Sequence, residues 1–273
     1  MGGAVGSRPT LPRLIATDLD GTLIGRDHVI SRRSAKVLAQ AVASGIAVVL
    51  VTGRPVRWVF PAYEQLDAGY PTICANGAVE YDPGSDGVLA SRPLAPGLLS
   101  AVCTRLAASI PGIAFAAEID DGRRMVHEPA YRPADLDSGA VPLSTVVARP
   151  AVKLLGRVDD RGADELAALV DTAVGDQVEA THSSYGGLVE MSARGVTKAA
   201  GLSALAARLG IDAADVLAFG DMPNDVTMLR WAGRSVVVEN AHPAAREVAD
   251  DVTLPNVSDG VAVYLERLLN NGA

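Results

Sequence analysis

DLDGTL, residues 18–23, follows directly on the apolar Leu14-Ile15-Ala16. Side chains alternate along a strand, so residues two apart share a face, and Asp18 and Asp20 point the same way if the strand continues through them. The Gly21-Thr22 turn then lets the chain leave sharply. In an open parallel sheet, ligands bind beyond the carboxyl ends of the strands, and two carboxylates at such an end mark a candidate site. Two other strand ends are polar as well. IAVVLV (46–51) is apolar on both faces, as a strand covered by helices on both sides must be, and it runs into Thr52-Gly53-Arg54. VLAFG (216–220) runs into Asp221, with Asn224 and Asp225 close behind. Three polar strand ends in one sheet predict one shared site.

The segments between these strands read as helices. In SRRSAKVLAQAVASG (31–45), Ser31 can cap a helix, Ala35, Leu38, Ala39 and Val42 share one face, and Gly45 can end it. A helix is expected around Val56 to Leu66 and a short strand in PTICANG (71–77). Leu202, Leu205, Ala206 and Leu209 share a face of a helix over 197–209, stopped by Gly210. NDVTMLRWAG reads as a helix, SVVVEN as a strand and VAVYLERLL as a closing helix. Alternating strand and helix implies a parallel sheet with right-handed crossovers. From about Val88 to Leu188 the grammar changes. Gly, Pro and Asp punctuation is dense, and strand-like IAFAAEI, AVKLLGRV and GLVEM mix with helical patterns over Gly97–Ser109 and Ala163–Val174. The expected architecture is α/β: a Rossmann-like parallel-sheet core over 10–88 and 189–273, with an inserted α+β domain over 89–188. Two connections, near 85–92 and 186–192, would form a hinge.

Composition narrows the partners. The 273 residues carry 24 basic and 32 acidic side chains, a net charge of −8, with no basic run. The electrostatic footprint of a nucleic-acid binder is missing. No uncharged apolar run is long enough to cross a bilayer, and Met1 to Pro9 lacks the apolar core of a signal peptide. The two cysteines, Cys74 and Cys103, form no close pair, so neither a disulfide framework nor a thiolate metal site is expected. A reducing cytoplasm is the expected setting. The sequence does not fix an oligomeric state.

Converging carboxylates repel, and their desolvation costs several kcal/mol unless a cation is present. Asp18, Asp20 and Asp221 therefore ask for a hard cation, and oxygen ligands favour Mg²⁺, which keeps waters and shares substrate phosphate oxygens. Thr52, the Gly53 amide and a lysine suit the phosphate. Lys198 is the best candidate, a compact positive charge at a helix start, where it opposes the macrodipole. Of the Asp18/Asp20 pair, one carboxylate can attack phosphorus while the other protonates the leaving oxygen and then activates water.

Taken in order, DLDGTL, VTGR, the lysine of VEMSARGVTKAAGL and GDMPNDVTML resemble the motifs of the haloacid dehalogenase superfamily of phosphatases. The large insert resembles the C2 cap of Cof-type hydrolases, and ANGA (75–78) and NAHP (240–243) are similar to that subgroup. The resemblance implies that Asp18 is the nucleophile that forms an aspartyl-phosphate, and that Asp20 is the general acid/base with its backbone carbonyl on the metal. It implies that Thr52 and the Gly53 amide hold the phosphoryl group. On their own reading, Arg54 and Arg57 could contact substrate or form surface salt bridges, and Asn76 could contact substrate or make structural hydrogen bonds. Lys198 would offset charge on nucleophile and phosphate. Asp221 would complete a metal set of Asp18, Asp20 and Asp221, Asn224 would orient the phosphate, and Asp225 would act from behind. Lys153, in an expected cap strand, could reach substrate. His127, His182, Cys74 and Cys103 show no partner at useful spacing, and Trp58 and Trp231 read as packing residues. Glu239 departs from the subgroup's Met-Gly pair before Asn-Ala. The expected activity is a Mg²⁺-dependent phosphatase acting on a small phosphomonoester, a sugar phosphate or similar metabolite. The alternatives are a phosphotransferase such as a sugar phosphomutase, and a phosphometabolite-binding module without turnover.

Overall fold

The computed structural model of the chain describes residues 11–25, 28–131 and 139–272. The first strands are β1 (Leu14–Thr17), β2 (Ala47–Val51), β3 (Thr72–Cys74), β4 (Val79–Asp82) and β5 (Gly87–Ser91). The middle contributes β6 (Ala114–Ile119), β7 (Arg124–His127), β8 (Ala151–Arg157), β9 (Val178–Thr181) and β10 (Leu188–Ala193). Then come β11 (Val216–Gly220), β12 (Arg234–Val238) and β13 (Asp251–Thr253). The helices are α1 (Arg32–Ala43), α2 (Phe60–Leu66), α3 (Pro96–Ser109), α4 (Leu143–Val146), α5 (Ala163–Val174), α6 (Lys198–Arg208), α7 (Val226–Trp231), α8 (Pro243–Arg246) and α9 (Gly260–Gly272).

Two sheets result. The larger has the order β13-β12-β11-β1-β2-β3-β4-β5. Its strands are parallel from β13 to β3, and β4 and β5 add an antiparallel edge. The smaller, β7-β6-β8-β10-β9, is antiparallel throughout. Alternation along the central strands sorts the core into two layers. Ile15, Leu50, Leu217 and Phe219 pack with residues of α1, α2 and α9, and Leu14, Ala16, Val49, Val51 and Ala218 pack with α6, α7 and α8. This is a sheet covered on both faces, with roughly 1.5–3 kcal/mol gained per buried large aliphatic side chain. The smaller sheet packs one face, through Phe115, Ala117, Leu154, Val189 and Met191, on Leu99, Val102 and Leu106 of α3 and Leu166, Val170 and Val174 of α5. Its other face carries Ala114, Ala116, Met125 and Leu155, and among the described residues no helix covers it. Among the described residues, no helix is long and apolar enough to cross a membrane.

Three expectations change in detail. Ser31 does cap α1, its Oγ accepting from the Ser34 amide at 3.0 Å, but the buried stripe is Ser34, Val37, Leu38 and Ala41. Ala39 is exposed and Val42 is 48% exposed. Alanine reads as apolar in a sequence yet has too little surface to decide which stripe faces the sheet, so Val37 fixes the rotation instead. On α6, Leu209 lies past the helix end and is exposed, while Leu202, Leu205 and Ala206 are buried. The connections also move. The Asp-Pro-Gly-rich punctuation at 82–86 is the turn of the β4–β5 hairpin, and β5 stays in the large sheet. GLVEM begins β10, which pairs with β8 and β9 in the small sheet. The chain therefore passes between the sheets at 92–95 and 194–197.

Replacing Leu38 with Ala is expected to cost about 2–5 kcal/mol of stability, the usual range for a large-to-small core change. Val42→Ser should stay within about 0.5 kcal/mol. Urea unfolding of both variants checks the assignment of the α1 face.

Candidate active site

β1 lies between β2 and β11, so the chain ends that follow these three strands converge. Asp18 continues the ladder, its amide donating to the Phe219 carbonyl at 3.0 Å. Thr197 caps α6, its Oγ1 accepting from the Ala200 amide, which sets Lys198 as the first helical residue. The ammonium of Lys198 is fully buried and donates to Asp18 Oδ1 and to Asp225 Oδ1, each at 2.6 Å. Asp225 Oδ2 accepts the amides of Asp221 and Met222 at 2.9 and 3.0 Å. Both oxygens of Asp225 are thus engaged within the protein, and the residue braces Lys198 and the loop after β11.

Asp221 is tied to the loop after β1. Thr22 Oγ1 donates to Asp221 Oδ1 at 2.8 Å, a contact that the sequence reading did not single out although Thr22 sits inside its leading motif. Gly21, at φ +84°, passes directly under the Asp221 carboxylate, where a β-carbon would collide with Oδ2. Asn240 Nδ2 holds the Gly21 carbonyl at 2.8 Å. Glu239 is exposed, and its carbonyl accepts from the Arg246 guanidinium.

One carboxylate oxygen from each of Asp18, Asp221 and Asp225 lies within 4.8 Å of the others. Three carboxylates face one ammonium, an excess of two negative charges in a buried place. Burial, with Asp225 adding repulsion, pushes the Asp221 carboxyl up to about 7. Burial likewise raises Asp18 against the pull of Lys198, with Asp225, Asp221 and Asp20 adding repulsion. Burial alone would discharge Lys198, but Asp18 and Asp225 outweigh it and raise its pKa. An all-oxygen donor set with an uncompensated double charge fits a hard divalent cation. Asp18 and Asp221 are the residues that would hold it.

The remaining expected residues sit around this centre. Thr52 is buried, and its Oγ1 accepts the Arg54 amide at 3.0 Å. Arg54 grips Asp20 with two bonds, Nε to Oδ2 at 2.7 Å and Nη2 to Oδ1 at 2.6 Å. Burial works against the Arg54 charge, but the bonds to Asp20 raise its pKa. The side chain of Asp20 stays outside the carboxylate cluster. Asn76 and Asn224 are both buried, and Asn224 Nδ2 donates to Asn76 Oδ1 at 3.1 Å. A phosphate oxygen accepts hydrogen bonds, so Asn224 could serve it only through this nitrogen, one of whose two N–H groups is engaged by Asn76.

A cleft of about 580 Å³ opens between the two sheets. Asp18, Asp20, Gly53 and Asn224 line its floor, and the free face of the small sheet lines its roof. That roof sets the charged Glu118, Lys153, Glu190 and Arg157 beside the apolar Met125, Leu155 and Leu188. Arg57 pairs with Glu118 through both Glu118 oxygens. Trp58, read as packing, is 39% exposed, lies under the Arg57 guanidinium at 4.8 Å and borders the cleft. Lys153 Nζ reaches the Gly53 carbonyl at 2.5 Å and Glu190 Oε1 at 3.0 Å. Glu190 went unnoticed because a lone glutamate in a strand reads as solvated. Its alternation against the buried Val189 and Met191 was the available signal. His182 does have a partner: its Nε2 lies 2.9 Å from Asp164 Oδ1, a residue of the first turn of α5. His127 Nδ1 lies 2.8 Å from the Glu128 carbonyl. Cys74 and Cys103 are free and buried, each thiol pushed up to about 12 by burial. Trp231 packs against the core layer of α6 and α7.

A profile of the haloacid dehalogenase-like hydrolases matches residues 15–265. The 5-amino-6-(5-phospho-D-ribitylamino)uracil phosphatase YwtE of Bacillus subtilis is 29% identical over 94% of this chain and 98% of its own. The pyridoxal phosphate phosphatase YbhA of Escherichia coli is 27% identical over 93% of this chain and 97% of its own. Among solved structures, a Thermotoga maritima protein is 26% identical and superposes with a TM-score of 0.76, covering 94% of this chain and 97% of that one.

The charge excess has a pH consequence. Asp221 titrates near 7 in the metal-free folded chain and near 4 when unfolded. The folded state binds the extra proton between these values, so this group's contribution to stability falls as pH rises from about 4 to 7 and is flat above. A cation competes with that proton. Mg²⁺ is expected to raise the melting temperature more at pH 8 than at pH 5.5, and thermal denaturation with and without Mg²⁺ measures the difference. An equal shift at both pH values would show that the cation binds elsewhere.

Proposed function

The chain belongs to the haloacid dehalogenase-like hydrolases as a Cof-type phosphatase, and on that premise we propose a Mg²⁺-dependent hydrolysis of a small phosphomonoester through an aspartyl-phosphate on Asp18. The observation that carries the reading is the Lys198 ammonium, buried between Asp18 and Asp225, behind the Asp18 carboxylate that lines the cleft. A carboxylate held by a fixed cation at the edge of a cavity is oriented for attack without being buried beyond reach.

A lone pair of the Asp18 carboxylate attacks phosphorus and the P–O bond to the alcohol breaks. The alcohol oxygen takes a proton from Asp20. Water, giving its proton back to Asp20, then attacks the phosphoryl group, releases phosphate and regenerates Asp18. Arg54 holds both Asp20 oxygens, so proton transfer at Asp20 requires Arg54 to yield one bond when substrate enters. Lys198 offsets charge on Asp18 and on the incoming phosphoryl group. The Gly53 loop, with Thr52 behind it, offers the amides for the phosphoryl oxygens. Mg²⁺, when bound by Asp18, Asp221 and the backbone carbonyl of Asp20, supplies further positive charge for a reaction that depends mostly on positioning and charge neutralisation.

The core spans β1–β5 and β11–β13, and the inserted cap spans α3 to β10. The cap carries the leaving-group end of the cleft. YwtE and YbhA are named for phosphomonoesters of ring-bearing compounds. Met125, Leu155, Leu188 and Trp58 in the lining of the cleft suit a leaving group with an apolar face. The free thiols of Cys74 and Cys103 suit a reducing cytoplasm.

Phosphate release from a panel of phosphomonoesters, ring-bearing and simple sugar phosphates included, tests the reading with and without Mg²⁺. Asp18→Asn should lose at least about a thousandfold in turnover, since a carboxamide is no nucleophile, while its circular dichroism stays that of the wild type. Turnover by Asp18→Asn would overturn the nucleophile assignment.

A further inference from the structure

Four buried polar side chains form a relay from the cap into the core, and Ser183 Oγ also donates to Glu190 Oε1 at 3.3 Å. Lys153 of β8 donates to Glu190 Oε1 of β10 at 3.0 Å and to the Gly53 carbonyl at 2.5 Å. Glu190 Oε2 accepts from Asn76 Nδ2 at 2.7 Å, and Asn76 Oδ1 accepts from Asn224 Nδ2 at 3.1 Å. Asn224 Oδ1, at the end of the relay, is buried and has no hydrogen-bond partner among the described residues.

The direction of the relay is dictated by donor and acceptor chemistry. An ionised carboxylate only accepts. The end of Asn76 that meets Glu190 must therefore be its NH₂, and its oxygen must face Asn224. The end of Asn224 that meets this oxygen must again be the NH₂, which leaves the Asn224 oxygen outside the relay. Burial alone would raise the pKa of Glu190, but Lys153 and the Asn76 amide outweigh it and hold the group below its ordinary value. With Glu190 ionised, the reverse order would set lone pairs against lone pairs.

An unmet buried carbonyl oxygen costs roughly 1–3 kcal/mol, and a ligand that completes it recovers that cost. This oxygen can meet a hard cation or a water on it. It cannot accept a hydrogen bond from an unprotonated phosphate oxygen. The relay also lies across the Gly53 loop: a β-carbon at 53 would stand 3.1 Å from Asn76 Oδ1, 3.4 Å from Glu190 Oε2 and 3.5 Å from Asn224 Nδ2. Asn76 is held there at φ +56°, a left-handed conformation that Asn tolerates better than most residues.

We infer that Glu190, supported by Lys153, is a positioning residue supplied by the cap, which through Asn76 turns the carbonyl oxygen of Asn224 toward the cation and its waters. The inference rests on the Mg²⁺ reading above. It links two domains: the core's cation site has its full polarity only while β10 of the cap sits on the ANGA turn. It also gives the Asn76 of that turn a role in orientation rather than in direct substrate contact.

The test is calorimetric titration of Mg²⁺ into the wild-type protein and three variants. Glu190→Gln keeps the shape but lets an NH₂ face Asn76, so that both asparagines can turn over and present an NH₂ to the cation. Its Mg²⁺ Kd should weaken about tenfold or more, the usual size of an outer-shell effect on metal affinity. Adding Asn76→Asp restores an acceptor-only group at the middle of the relay, which takes the new amide on one side and Asn224 Nδ2 on the other. The double variant should return to within about threefold of wild type, whereas a merely structural role predicts further loss. Asn76→Gly leaves the Lys153–Glu190 pair intact and suits the left-handed backbone. It should lose as much affinity as Glu190→Gln, and it decides the matter if that variant does not fold. An unchanged Kd in Glu190→Gln or Asn76→Gly, or a double variant no tighter than Glu190→Gln, would overturn the relay alone. A wild-type protein that binds no Mg²⁺ would overturn the cation reading, and with it the ligand given to Asn224.

Discussion

The ammonium of Lys198, fully buried between Asp18 and Asp225, is the constraint around which this molecule is arranged. A lysine charge survives without water only when carboxylates surround it, and these carboxylates come from the ends of two neighbouring strands. Asp18 follows β1 and Asp225 lies beyond β11, so the pair of bonds pins the loop after β11 to the loop after β1. The Thr22–Asp221 bond adds a second tie across the same gap. Lys198 itself opens α6 immediately after the chain returns from the cap. The charge therefore sits at the junction of Asp18, the loop after β11 and the cap connection, and its loss would strand two or three anions in a dry site.

The same rule explains why the site is unfinished in the protein alone. One ammonium cannot balance three carboxylates, and the excess appears as raised pKa values on Asp18 and Asp221. A second buried ion pair, Lys153 with Glu190, stands on the cap side of the cleft, and the Gly53 carbonyl and the Asn76 amide complete it. Cap and core thus meet through satisfied polar groups beside the Gly53 loop. The apolar part of the cap sheet is left facing the cleft, where a leaving group rather than a protein layer would cover it.

Much of the fold was legible in the sequence because the central strands are apolar on both faces and end in polar residues. DLDGTL, TGR and GDMPND each carried a strand end together with its chemistry, and the four motifs in order pointed to the family. Legibility failed where the signal was weak or depended on context. The α1 stripe was rotated because alanines and valines in the helix gave no clear face. The β4–β5 hairpin read as a linker because Pro, Gly and Asp mark turns of both kinds. Glu190 and the Asp164–His182 pair are side chains distant in sequence whose meaning appears only when strands are laid side by side.

The sequence by itself determined the α/β core, the inserted domain, and the convergence of Asp18, Asp221 and Lys198, since local periodicity and strand-end chemistry are properties of short stretches. Tertiary structure alone decided which groups are engaged and which are free. It spends both oxygens of Asp225 on Lys198 and the backbone, clamps Asp20 with Arg54, and turns the nitrogen of Asn224 toward Asn76. Those choices depend on burial and on donor–acceptor matching between residues of different strands and loops, as far apart in sequence as Asn76 and Asn224, and no spacing rule within one stretch of chain encodes them.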